Sequence, residues 1–122
     1  MKLIPLPQAL TVCQLPLQQE YAATGDFYFL ARTANELSLV CPTEATPAGT
    51  IAREDGWRAF YIEGTLDFSL IGILAKISAI LAENAIGIFV VSTYDTDYVL
   101  VKAENLARAL AVLGAAGYEI GA

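Results

Sequence analysis

The 122-residue chain carries thirteen acidic side chains and no histidine, which narrows the chemistry open to it. Without imidazole, the commonest general base near neutral pH and the commonest zinc ligand are both missing. A serine nucleophile at Ser69 or Ser92 would need Lys76 or Lys102 as its base. Lys76 follows Ser69 by two helical turns, roughly 10 Å along a helix axis and outside hydrogen-bond reach. Asp95 and Asp97 form a carboxylate pair, but a short exposed turn leaves them solvated, a poor setting for acid–base catalysis. Cys13 and Cys41 lack the CxxC spacing of a metal or redox site, and no phosphate-binding glycine motif occurs. They read as two buried thiols in strands, or as a disulfide in an oxidising compartment. We therefore expect no catalytic residues, no metal and no cofactor.

Binding is the chemistry that remains. Gly64–Ser69 leads into an apolar periodic run, and Asp67 or Ser69 supplies an N-cap oxygen there. The first amides of such a helix are unpaired and its dipole puts partial positive charge at them, so the end attracts a carboxylate. Further on, Thr93, Tyr94, Asp95 and Asp97 gather at one hairpin edge. An α-amino acid would set its carboxylate on the helix amides and its cationic groups on Asp97 or Asp67. Structural roles stand beside these functional ones. Asp67 and Ser69 suit helix starts, Asp95 and Asp97 suit turns, Tyr94 suits a half-buried aromatic, and Gly72 suits close helix packing.

These residues must be positioned by a scaffold, and the pattern of the chain describes one. Hydrophobic residues make up 56% and charged residues 16%, which excludes a disordered chain and leaves apolar surface to spare for a subunit interface. A net charge of −6 with seven scattered cations excludes a nucleic-acid footprint. No apolar run is long enough to span a membrane, and prolines break the segment before Leu10–Cys13, which only loosely fits a lipoprotein cleavage box. A soluble, cytoplasmic protein is expected.

Residues 1–56 hold all five prolines and short apolar runs at Leu10–Leu15, Phe27–Arg32 and Leu37–Cys41 that read as strands. A turn-rich connection covers Thr43–Gly56, and Leu17–Ala23 is at most a short helix. Residues 57–122 are sharper. Trp57–Glu63 reads as a strand. Leu70, Ile73, Leu74, Ile77, Ile80 and Leu81 mark one helical face, with Asn84 as its left-handed end. Ile86–Thr93 and Tyr98–Lys102 form a hairpin around Tyr94–Asp97. Leu106, Ala109, Leu110 and Leu113 mark a second helix opened by Glu104 and ended by Gly114 and Gly117, before an edge strand at Tyr118–Ile120. The order β-α-β-β-α-β is the ferredoxin-like α+β arrangement. The first half reads as a degenerate copy of the same unit or a strand-rich cover.

The run Gly64-Thr65-Leu66-Asp67-Phe68-Ser69-Leu70-Ile71-Gly72-Ile73-Leu74, with Ile86–Val101 containing Ser92-Thr93-Tyr94-Asp95-Thr96-Asp97-Tyr98, resembles an ACT domain. More narrowly it is similar to the small bacterial ACT proteins related to the regulatory domains of aspartate kinase and to the cytosolic arginine sensors. The resemblance covers residues 56–113 and implies a tandem of a degenerate and a well-formed ACT unit. It also implies a regulatory protein, not an enzyme, that binds amino acids or similar effectors at interfaces between ACT units, as a homodimer or higher homo-oligomer. Carried onto this sequence, the pocket residues are Thr93, Tyr94 and Asp97 with Thr65, Asp67, Ser69 and Leu70. The alternative is a ligand-free oligomerisation or interaction module that docks its apolar surface on a partner protein.

Overall fold

The computed structural model describes residues 1–22, 25–64 and 71–121. In chain order these form β1 (Lys2–Pro5), β2 (Leu10–Leu15), β3 (Phe29–Arg32), β4 (Leu37–Pro42), β5 (Ala52–Ile62), α1 (Ile73–Glu83), β6 (Phe89–Ser92), β7 (Asp97–Lys102), α2 (Leu106–Ala115) and β8 (Glu119–Ile120). Short 3-10 turns follow β4 at Thr43–Ala45 and β7 at Ala103–Asn105. Two compact units result: Met1–Pro7 with Arg58–Ala122, and Gln8–Trp57. The N-terminal seven residues, read from the sequence as part of a 1–56 unit, instead join the later residues. Their strand β1 pairs antiparallel with the end of β5, Leu3 opposite Ile62 and Pro5 opposite Phe60.

In the unit of Met1–Pro7 and Arg58–Ala122, the sheet runs β6-β7-β5-β1-β8. The expected β-α-β-β-α-β order is present from β5 to β8, with β1 added between the first and last strands. Period-2 alternation puts Phe60 and Ile62 of β5 and Val99 and Val101 of β7 in the core. Period-3.6 spacing brings Ile77 and Leu81 of α1 and Leu106, Ala109 and Leu113 of α2 onto them. Each fully buried Val, Leu, Ile or Phe among them contributes about 1.5–3 kcal/mol relative to exposure.

Helix boundaries differ from the sequence reading. Helix α1 starts at Ile73, with Gly72 at its N-cap position in a left-handed conformation (φ 82°) and no side-chain cap. The apolar period continues through Leu70, but a residue at positive φ interrupts the helix, and glycine takes that conformation at no steric cost. Gly72 therefore starts the helix and is not a packing site within it; a Cβ there would meet nothing within 4 Å. At the other end Asn84 is not the left-handed residue; Ala85 is, at φ 57°. The Ile86 amide donates to the Leu81 carbonyl (2.9 Å) and the Ala85 amide to Ala82 (3.0 Å), a Schellman closure with alanine where glycine is usual. The Asn84 side chain donates instead to the Ile80 carbonyl at 2.9 Å.

The unit Gln8–Trp57 has the strand order β3-β4-β2-β5, all antiparallel, and no α-helix among its described residues. Its last strand starts at Ala52, inside the segment expected to be turns, because Ala52–Trp57 pairs with β2. The register shifts between Leu10 and Val12, beside Gly56, whose positive φ (85°) glycine adopts without strain. Leu15, Leu37 and Leu39 pack with Cys13 and Cys41, and Tyr21 and Tyr28 lie edge to face against this cluster, 6.1 Å apart. Both thiols are free and buried. Cys13 stands opposite Leu39 and Cys41 opposite Thr11, so they are diagonal neighbours on one face. The fully buried Thr11 hydroxyl lies 2.7 Å from Asp55 Oδ1 and 3.0 Å from Thr43 Oγ1. A carboxylate only accepts, so Thr11 donates to Asp55 and the Thr43 hydroxyl donates to Thr11.

Candidate functional site

The β6–β7 hairpin places three of the residues expected at a ligand site. Ser92 opposes Asp97 in the register, and the chain turns through Thr93-Tyr94-Asp95-Thr96. The Thr93 amide donates to the Thr96 carbonyl at 2.8 Å, and the Thr93 hydroxyl accepts from the Thr96 amide at 3.3 Å. These bonds leave the Tyr94 and Asp95 side chains outward, and Tyr94 is 79% exposed. Asp97 Oδ1 accepts a hydrogen bond from the Ser92 hydroxyl. Thr93, Tyr94 and Asp97 are thus on one tightly closed corner. Thr65, Asp67, Ser69 and Leu70 lie outside the described residues.

A residue not singled out from the sequence anchors this corner. Thr96 is buried, and its hydroxyl donates to the Ile62 carbonyl at 2.7 Å. Ile62 is the last residue of β5, so the acidic turn is held against the strand that leads into Gly64.

The same end of the unit carries a cleft of about 300 Å³. Ile71, Gly72, Ile73 and Lys76 line it from the start of α1, and Ala116, Gly117 and Tyr118 from the end of α2, with Met1 beside them. Its position follows from the register: Leu3 pairs with Ile62, so Met1 lies beyond the β5 end that Thr96 touches. The amides of Ile73, Leu74 and Ala75 precede the first intrahelical bond, Lys76 to Gly72 at 2.9 Å, and have no acceptor within the helix. Together with the Lys76 ammonium they make this mouth favourable to an anionic group. The helix start expected near Asp67 or Ser69 lies at Ile73, with Gly72 as its N-cap residue. Lys76, Tyr118 and Met1 were missed as site residues because three separate chain segments bring them together. Only a correct placement of the helix start at Gly72 would have pointed to Lys76, one turn on.

Among the described residues no cluster of three or more His, Cys, Asp or Glu side chains is placed to hold a metal ion. None of the described helices is long and apolar enough to cross a membrane.

A ferredoxin-like sheet with two helices packed on one face is the architecture of an ACT-type domain, and an open cleft lies at its turn end. The ACT domain family description matches residues 52–115, and the chain belongs to that family. A protein from Agrobacterium tumefaciens is similar over 98% of this chain and 91% of its own, at 32% identity and a TM-score of 0.88. A Vibrio cholerae protein of unknown function shares the fold at 24% identity and a TM-score of 0.68, covering 93% of this chain and 88% of its own. The aspartokinase alpha and beta subunits share it at 15% identity and a TM-score of 0.65, covering 95% and 97%. No curated protein matches the chain in sequence.

Proposed function

We propose that this chain is a regulatory ACT protein that binds an amino acid at the turn end of its Arg58–Ala122 unit, where an ACT unit of a second copy completes the site. One observation carries the reading: the Thr96–Ile62 bond and the Leu3–Ile62 register put the acidic corner and the cleft at the same end of one sheet. The two patches have opposite chemistry. The helix start with Lys76 suits a carboxylate, and the corner with Asp97 suits an ammonium or a cationic side chain. An amino acid presents both groups within a volume that fits the cleft. Thr65, Asp67, Ser69 and Leu70 join the same pocket in this reading, since they connect the end of β5 to Gly72. In this reading the chain acts in the cytoplasm as a homo-oligomer without catalysis of its own.

A thermal-shift screen of the twenty amino acids tests it, with arginine and lysine tried first because the corner is acidic. A ligand at ~10 mM with ~100 µM affinity adds about 2.7 kcal/mol. Absence of any shift from an intact oligomer overturns the sensor reading and supports a ligand-free interaction module.

A further inference from the structure

The hairpin that carries the candidate corner has a second version in the Gln8–Trp57 unit. Strands Phe29–Arg32 and Leu37–Pro42, followed by the 3-10 turn Thr43–Ala45, recur sixty positions later as Phe89–Ser92, Asp97–Lys102 and Ala103–Asn105. The turns close alike: the Thr33 amide donates to Glu36 at 2.9 Å as the Thr93 amide does to Thr96 at 2.8 Å. The Thr33 hydroxyl accepts from the Glu36 amide at 3.1 Å as the Thr93 hydroxyl does from Thr96. Strand neighbours agree as well, since β4 pairs with β2 as β7 pairs with β5. Strand β2 therefore stands to the Thr33 turn as strand β5 stands to the Thr93 turn.

The two corners differ in charge. At the position of Ser92 the earlier hairpin has Arg32, and at the position of Asp97 it has Leu37. The Arg32 guanidinium reaches the loop after β2, donating from Nη1 to the Leu17 carbonyl at 2.6 Å and from Nη2 to the Gln19 carbonyl at 3.0 Å. A planar fork meets two backbone acceptors there, which is the geometry a free guanidinium compound would use.

We propose that Gln8–Trp57 contains a second, latent ligand corner for a guanidinium group, which the chain's own Arg32 occupies. The inference rests on the reading that ligand binds at the turn end of the ACT unit. In the open corner the arginine is replaced by Ser92 hydrogen-bonded to a carboxylate, so the cation has to come from outside.

Chemical rescue tests it. Arg32→Ala in the full chain should lower the melting temperature, and millimolar methylguanidinium should raise that of the variant by several degrees more than it raises that of the wild type, which retains only the Asp97 corner. The double variant Arg32→Ala/Asp97→Asn should be rescued equally, which separates this corner from the one proposed above. Rescue therefore survives even if the wild type binds no amino acid. A folded Arg32→Ala chain that methylguanidinium does not stabilise, or stabilises no more than the wild type, overturns the proposal. Should that variant not fold, Arg32→Gln is read by the same comparison.

Discussion

The Thr96 hydroxyl donates to the Ile62 carbonyl at 2.7 Å, a buried bond between residues far apart in the chain. It fastens the tip of the β6–β7 hairpin to the end of β5, and so decides that an acidic turn and a helix-start cleft share one end of the sheet.

Thr96→Val keeps the shape of the side chain but leaves the Ile62 carbonyl without its donor. Removing one partner of a buried hydrogen bond costs about 1–3 kcal/mol. Urea unfolding should show that loss, and ligand affinity should fall with it, because the corner is no longer fastened to β5.

Asp97→Asn retains an acceptor for Ser92 and removes the charge. Charge-assisted hydrogen bonds contribute about 1.5–3 kcal/mol, so a cationic ligand should bind roughly ten- to a hundredfold more weakly. Titration calorimetry reads this directly, while the melting temperature without ligand should stay close to that of the wild type. Unchanged affinity would place the cation elsewhere.

Ala85 holds the left-handed position that closes α1. Ala85→Gly removes the clash of Cβ at positive φ, worth roughly 1–2 kcal/mol, against an unfolded-state entropy cost of about 0.4–1 kcal/mol. A net gain of up to about 1.5 kcal/mol is expected in denaturant unfolding, with the fold unchanged.

Burial pushes the Cys13 and Cys41 thiols above the ordinary value of 9.0; at Cys13 the neighbouring Cys41 adds to the rise, and Arg53 opposes it at both. Because the folded chain holds these protons more tightly than the unfolded chain, their contribution is complete below the unfolded thiol range. It is lost as the pH rises above about 9. Urea midpoints measured from pH 7 to 10 should fall less steeply in Cys13→Ala/Cys41→Ala than in the wild type. The native thiols should also resist alkylation until the protein unfolds.

Local pattern alone determined a good deal of this protein. The alternation of Val99 and Val101, the i, i+4 pair Ile77 and Leu81, and the turn residues around Tyr94 each report burial along one element, so the strands, helices and hairpin from Trp57 onward were legible in order. The closed corner of Thr93, Tyr94 and Asp97 was legible for the same reason, as neighbours on one turn. Tertiary structure decided what no local window encodes. Lys2–Pro5 looks the same whether it pairs with its sequence neighbours or inserts beside β5, because strand pairing depends on which sheet edge is open once the chain has collapsed. Helix α1 begins only at Ile73, after the left-handed Gly72, despite an apolar period that continues through Leu70, since one backbone angle outweighs side-chain spacing. The cleft between Met1, Lys76 and Tyr118 exists only because β1, α1 and α2 converge, and contacts so distant in sequence leave no mark on composition or periodicity.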